Sequence, residues 1–139
     1  FKGLPVKKFN DIGVSMELYD KQYYEPEFKE LFEPEYCISA CWMVDRKAIR
    51  KVGLLDEHIF YAPEDVDYCL RMWLNGYKVV YNPTAEVIHY TQRVSHKSKK
   101  LAILHAEGLL YYFWKYKYLF SKRRIYNKIR NNENKYEER

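Results

Sequence analysis

The stretch HIFYAPEDVDYCLRMWLNGYKVVY, residues 58–81, carries the signals that decide the fold. Proline and acidic residues at its sixth to eighth positions are typical of a first helical turn, and Asn-Gly at 75–76 is typical of a helix end. The stretch therefore predicts a helix from Pro63 to Asn75. Apolar residues recur on this helix at intervals of three and four, which predicts that one face lies in the core. That face consists of Val66, Cys69, Leu70 and Trp73.

Three apolar segments around this helix have the length and composition of β-strands. Residues 36–44 form a nearly continuous apolar run, residues 77–81 end at an Asn-Pro pair, and residues 85–89 form a second short extended segment. Between the first strand and the long helix, Asp45 is predicted to cap a short helix through Lys51. The order strand, helix, strand, strand is typical of an α/β fold.

Breakers and shifts in composition divide the chain into four parts. Residues 1–35 are an irregular lead-in with one short helix, and residues 36–95 are the α/β body. Residues 96–120 are predicted to form a long amphipathic helix that mixes aromatic residues with lysines. Residues 121–139 are a polar, basic and frayed tail. We find no charged and apolar leader and no apolar run long enough to span a membrane.

Charge is distributed unevenly along the chain. Residues 1–92 hold 11 Lys and Arg against 15 Asp and Glu, whereas residues 93–139 hold 13 against 4, so that the net charge of +5 is carried by the C-terminal part. Such a part is expected to meet phosphates, either on a membrane surface or on nucleic acid, or to be a solvated basic helix. The three cysteines form no C-x-x-C pair and indicate a reducing, cytoplasmic compartment.

Three carboxylates, Glu64, Asp65 and Asp67, fall within four positions directly after an aromatic turn that ends near Tyr61. Such a cluster has two interpretations. The carboxylates either form a functional site, or accept hydrogen bonds from the free N–H groups of the first helical turn and interact favourably with the helix dipole. Asp67 and Arg71 are also spaced to pair across one turn of the helix.

A longer ordered pattern surrounds this cluster. It runs through Ser39-Ala40-Cys41-Trp42-Met43, Arg46-Lys47-Ala48, Gly53-Leu54-Leu55-Asp56-Glu57, Phe60-Tyr61, Glu64-Asp65-Val66-Asp67, Gly76-Tyr77, Pro83 and Val87-Ile88-His89. In order and spacing the pattern resembles the C-terminal part of the family 2 glycosyltransferases, especially their rhamnosyltransferase-like members. Two positions depart from the family pattern: Ser39 stands in place of glycine, and Ala62-Pro63 replaces a bulkier pair.

The resemblance implies a partial GT-A fold with a C-terminal aromatic and basic helix, and an inverting glycosyltransferase. The enzyme would move a sugar from a nucleotide-sugar donor to a polysaccharide or lipid-linked saccharide acceptor in cell-surface polysaccharide biosynthesis. Asp65 would be the catalytic base. The residues that the resemblance places at the substrate are Glu64, Asp67, Ser39, Ala40, Trp42 and Tyr61. An alternative for Trp42 is a place in the core.

The resemblance also implies a divalent cation, Mg²⁺ or Mn²⁺, with His89 as one ligand. An alternative for His89 is a cap at the end of a strand. The Asp-x-Asp motif that such enzymes use for the metal is absent, since Asp65-Val66-Asp67 lies inside a helix. We therefore expect a preceding nucleotide-binding region of on the order of 100 residues, without which this part is inactive.

The aromatic and basic helix has two compatible interpretations: it packs on the body, or it lies peripherally at the inner face of the membrane. Two other functions compete with sugar transfer. One is a non-catalytic sugar-binding or assembly domain of the same fold. The other is a basic nucleic-acid-binding module, but no nucleic-acid motif accompanies the charge, so we expect no nucleic-acid partner.

Overall fold

The computed structural model describes residues 31–88 and 99–137, apart from the side chains of residues 118–122 and 133–137. Within these ranges the chain forms four helices and no strand. They are α1 (Arg46–Val52), α2 (Glu64–Leu74), α3 (Lys99–Tyr116) and α4 (Tyr118–Glu137). No helix in this part of the chain is both long and apolar enough to cross a membrane.

The two helices predicted between residues 45 and 75 are confirmed, whereas the short helix predicted within residues 1–35 falls on a segment of which residues 1–30 lie outside the described residues. The side chain of Asp45 accepts a hydrogen bond from the Lys47 amide at the start of α1, and Gly53 ends this helix with a left-handed φ of 87°. The four residues predicted to form the inner face of α2 are all buried. Local signals are sufficient here because capping and helical periodicity act within one or two turns.

Helix α2 lies at the centre of the core. One of its faces packs with Tyr36 and with buried side chains of α3 and α4, which are Tyr112, Ile125 and Ile129. A second cluster joins Tyr68 and Met72 of α2 to Ala48 of α1. Because α2 is covered on two sides, its position is fixed by all three other helices.

The predicted strands are not formed in the described part of the chain, so the α/β prediction is wrong there. Residues 77–81 contribute one isolated antiparallel bridge, between Tyr81 and Phe32, and residues 36–44 contain a turn. A strand exists only when a neighbour completes its hydrogen-bond ladder. In the described part of the chain, the pairing of residues 77–81 stops at the two backbone hydrogen bonds between Phe32 and Tyr81. Residues 85–88 are exposed and irregular, while the last residue of the third predicted strand, His89, lies outside the described residues.

The predicted frayed tail is instead a helix. The long helix ends at Tyr116 rather than near residue 120, because Lys117 adopts a left-handed φ of 47° and the chain turns into α4. Ile125 and Ile129, one turn apart, are buried, and the Asn132 side chain donates to the Leu74 carbonyl at the end of α2, 2.8 Å away. Helix α4 therefore belongs to the core, although its sequence is mostly polar.

Candidate functional site

Asp65, the predicted catalytic base, lies in the first turn of α2. Its Oδ1 accepts a hydrogen bond from the backbone amide of Val66 at 2.8 Å. No side chain within the described ranges forms a hydrogen bond or ion pair with its carboxylate. The group is partly buried. Burial, and then the charge of neighbouring Glu64, raises the pKa of Asp65 to about 7. A carboxyl group of this kind exchanges a proton near neutral pH.

Glu64 connects two loops beside Asp65. Its Oε1 accepts from the Ser39 hydroxyl at 3.0 Å, and its Oε2 accepts from the Ala62 amide at 2.6 Å. The structure therefore brings Ser39 and Glu64 together, although they are 25 residues apart in the sequence. Ser39 and Ala40 are both exposed at this end of α2, where a ligand has access to them.

Asp67 is completely buried and serves as a junction between helices. Its Oδ2 accepts from Arg71 Nε at 2.9 Å, which confirms the predicted pairing across one turn. Its Oδ1 accepts from Lys115 Nζ at 2.6 Å and from the Tyr116 hydroxyl at 2.8 Å. With these three donors, the geometry favours a structural role for Asp67 over the substrate contact that the sequence suggested.

Lys115 of α3 bridges two carboxylates and was not singled out by the sequence analysis. Its Nζ lies 2.6 Å from Asp67 Oδ1 and 2.7 Å from Asp56 Oδ2. Burial opposes ionisation of Asp56, but hydrogen bonds from Lys115 and His58 outweigh it and hold the Asp56 pKa well below its usual range. Asp56 is part of the ordered pattern described above, and this was the one signal in the sequence that pointed to the network around Lys115.

Arg71 extends the same network to the loop after α1. Its guanidinium donates to the carbonyl oxygens of Val52 at 3.0 Å and Leu54 at 2.7 Å, in addition to Asp67. It also lies over the Tyr68 ring, 4.9 Å from its centroid. The charged network therefore fixes α2 against α3 and against the loop that follows α1.

The two aromatic residues predicted at the site, Trp42 and Tyr61, have different surroundings. Trp42 donates from its indole to the Cys37 carbonyl at 3.2 Å and stacks on Tyr68, with ring centroids 5.6 Å apart. This packing favours the alternative that Trp42 belongs to the core. Tyr61 is partly exposed and meets the His105 ring of α3 edge to face at 6.5 Å.

His89, the predicted metal ligand, lies outside the described residues. In residues 31–88 and 99–137, no three His, Cys, Asp or Glu side chains converge in a way that could hold a metal ion. The donors present in this part of the chain therefore do not form a metal site of their own.

Comparison with known proteins gives a partial similarity. A segment of 51 residues is 43% identical to the N-acetylglucosaminyl-diphospho-decaprenol L-rhamnosyltransferases of two Mycobacterium tuberculosis strains, CDC 1551 / Oshkosh and ATCC 25618 / H37Rv. The segment is 37% of this chain and spans 17% of the length of each relative. No family model matches the chain. No solved structure matches it.

Proposed function

We propose that this chain forms the acceptor side of an inverting family 2 glycosyltransferase. The donor would be a nucleotide-linked L-rhamnose or related deoxyhexose, and the acceptor a lipid-linked or polysaccharide-bound sugar. The observation that carries the proposal is the state of Asp65. The chain is similar in part to rhamnosyltransferases. Within the cluster of Glu64, Asp65 and Asp67, Asp65 is the carboxylate that no described side chain holds, and its pKa is raised to about 7.

Asp65 would act as a general base. Its carboxylate takes the proton of an acceptor hydroxyl while that oxygen bonds to the anomeric carbon of the donor. The bond from this carbon to the nucleoside diphosphate breaks on the opposite side, and the leaving group keeps the electron pair. One displacement inverts the anomeric centre. A base with a pKa near 7 suits this transfer because about half of it is ionised at neutral pH and the ionised form accepts a proton readily.

Neighbouring residues would orient the acceptor. Ser39 and Ala40 are exposed beside the Glu64 carboxylate, which is already held by Ser39 Oγ and the Ala62 amide. Because both of its oxygens are held in place, Glu64 offers a fixed acceptor of hydrogen bonds from sugar hydroxyl groups. Tyr61, partly exposed on the adjoining turn, presents an aromatic ring that suits the C–H face of a pyranose.

A divalent cation, Mg²⁺ or Mn²⁺, with His89 as a ligand, stays part of the proposal. The described residues supply no group of three metal-binding side chains, so we assign the cation no step. The steps given above are assigned to Asp65, Glu64, the acceptor hydroxyl and the sugar donor.

The experiment is an Asp65→Asn substitution in the protein as its native cell makes it. Transfer of labelled deoxyhexose to lipid-diphosphate-linked N-acetylglucosamine is then measured. Loss of the base should lower the rate by about 10²–10⁴-fold while the melting temperature does not fall. Glu86→Gln, which removes an exposed carboxylate elsewhere, is the control and should leave the rate unchanged. Normal turnover in Asp65→Asn would contradict the proposed mechanism and favour a sugar-binding or assembly domain.

A further inference from the structure

Helix α3 carries large apolar side chains that face solvent. Ile103, Leu110 and Trp114 are 59%, 71% and 74% exposed. Their spacing of seven and four residues places them along one side of the helix. We call these three residues the outer stripe. Glu107 is exposed on the same side of the helix. Exposed apolar side chains of this size are not explained by the core.

Other aromatic residues of α3 make contacts with the rest of the protein. Tyr112 is fully buried, Tyr116 donates to Asp67, and Tyr111 stacks on His58. From the sequence alone, any of these aromatic side chains could have been exposed at the surface. The structure divides them, and Trp114 is the aromatic side chain of α3 that is left exposed.

Helix α4 presents a second unusual surface. Its buried residues are Ile125 and Ile129, and its exposed positions include four cations, Arg123, Arg124, Lys128 and Arg130, which we call the cationic face. None of these four is in an ion pair or side-chain hydrogen bond with the rest of the described chain. No Asp or Glu occurs between residues 108 and 132, so this part of the sequence offers no acid that would neutralise the four cations.

Cations also flank the outer stripe itself. Lys99 and Lys100 are exposed at the start of α3, and Lys117 is exposed at the turn into α4. Apolar residues bordered by long basic side chains suit the boundary between lipid headgroups and acyl chains, because the apolar groups enter the boundary and the ammonium groups meet phosphate.

We propose that the outer stripe and the cationic face dock this chain on an anionic phospholipid surface. A second copy of the chain is a poor occupant of the cationic face, because in a symmetric dimer through that face like charges would meet. Nucleic acid would neutralise the cations but leave Ile103 and Leu110 exposed to water. A bilayer with anionic headgroups satisfies both surfaces. This inference goes beyond the proposed sugar transfer, and its test requires no catalysis.

Vesicle co-sedimentation tests the docking directly. The purified chain is mixed with vesicles of phosphatidylcholine alone or of phosphatidylcholine with phosphatidylglycerol. We expect strong binding only when phosphatidylglycerol is present, and weaker binding as salt screens the charges. Equal binding to both vesicles, or none to either, would overturn the proposal.

The apolar contribution is tested with Leu110→Ser/Trp114→Ser. Affinity for the anionic vesicles should fall by at least about tenfold. The matched control is Val87→Ser/Ile88→Ser, which removes exposed apolar side chains outside α3 and should leave binding unchanged. Equal losses in the two variants would show that the outer stripe has no special part.

The charge contribution is tested with Arg123→Gln/Arg124→Gln/Lys128→Gln. Removing three phosphate contacts should weaken binding by roughly 100-fold. The matched control, Arg46→Gln/Lys47→Gln/Arg50→Gln, removes the same charge from exposed positions of α1 and should have little effect. Equal weakening by the two triple variants would mean general charge attraction, and the cationic face would then have no specific role.

Tryptophan fluorescence provides a test that does not depend on the multiple-substitution variants, should these fold poorly. Brominated acyl chains should quench Trp114 fluorescence in anionic vesicles, and Trp114→Phe, which keeps an aromatic ring, should bind but lose this quenching. Quenching that persists in Trp114→Phe would place another tryptophan at the lipid and contradict the assignment. The proposal is also overturned if polyuridylate binds more tightly than the vesicles, or if a dimer forms that Leu110→Ser/Trp114→Ser abolishes.

Discussion

Asp65 and Asp67 are two residues apart on α2 but differ in burial and in hydrogen-bond partners. Residues at this spacing point to different sides of a helix, since each step turns the direction by about 100°. Asp65 therefore lies where no described side chain holds it, whereas Asp67 points inward to Lys115, Tyr116 and Arg71. The sequence located the cluster of carboxylates but could not divide it, because Lys115 lies 48 residues from Asp67.

The first prediction concerns this division. Asp67→Asn should lower the free energy of unfolding by up to about 3–5 kcal/mol, since it takes one charged partner from each of the partly buried cations Arg71 and Lys115. Urea unfolding measures the change. Asp65→Asn is the control at the same helix turn: it removes a partly buried charge that no described cation balances, so it should not destabilise the protein. A similar loss in both variants would mean that Asp67 is not the structural member of the pair.

Among the elements, α3 and the turn before α2 approach each other closely at Gly108. A β-carbon at Gly108 would overlap the Ala62 carbonyl oxygen and would lie 3.5 Å from an Ile59 methyl group. Glycine at this point of α3 therefore lets the helix come close to the turn that precedes Glu64 and Asp65. The contact connects the position of the candidate site to the packing of α3.

The second prediction is that Gly108→Ala destabilises the protein by about 1–3 kcal/mol, because the overlap outweighs the better helix propensity of alanine. Thermal unfolding measures the effect. Ala106→Gly, at an exposed position of the same helix, is the reference for propensity alone and should cost no more than about 1 kcal/mol. A stabilised Gly108→Ala variant would show that α3 does not press against the turn.

Elements with local signals were predicted well and those with distant partners were not. Capping at Asp45 and apolar periodicity over Val66, Cys69, Leu70 and Trp73 gave α1 and α2 close to their observed bounds. Residues 36–44 have the composition of a strand. However, the Cys37 amide donates to the Cys69 sulfur, and the Cys37 carbonyl accepts from the Trp42 indole. Composition alone does not reveal where a backbone finds its hydrogen bonds.

At the scale of the whole molecule, α4 completes the core that positions α2. Its sequence offers few apolar residues, and Ile125 and Ile129 alone do not distinguish a docked helix from a solvated one. Helix α4 is docked because these two side chains cover a surface formed by α2 and α3. The hydrogen bond from Asn132 to Leu74 adds to this contact. That surface exists only after the other helices have packed.

The third prediction follows from this position. Ile129→Ala should cost about 2–5 kcal/mol, because the side chain is fully buried and its removal leaves a cavity. Arg130→Ala, at the exposed position next to it, should change stability by less than about 0.5 kcal/mol. Urea unfolding of both variants gives the comparison. An unchanged stability in Ile129→Ala would mean that α4 is not docked as described.

The central claim is that Asp65 removes the acceptor proton, and the pH dependence of kcat/KM for sugar transfer tests it most directly. Because the base must be ionised and burial raises its pKa to about 7, the rate should rise with pH through that value and level off above it. Asp65→Asn should lack this rise. A wild-type rate that does not change between about pH 5 and pH 8, or a rise that survives in Asp65→Asn, would contradict the account.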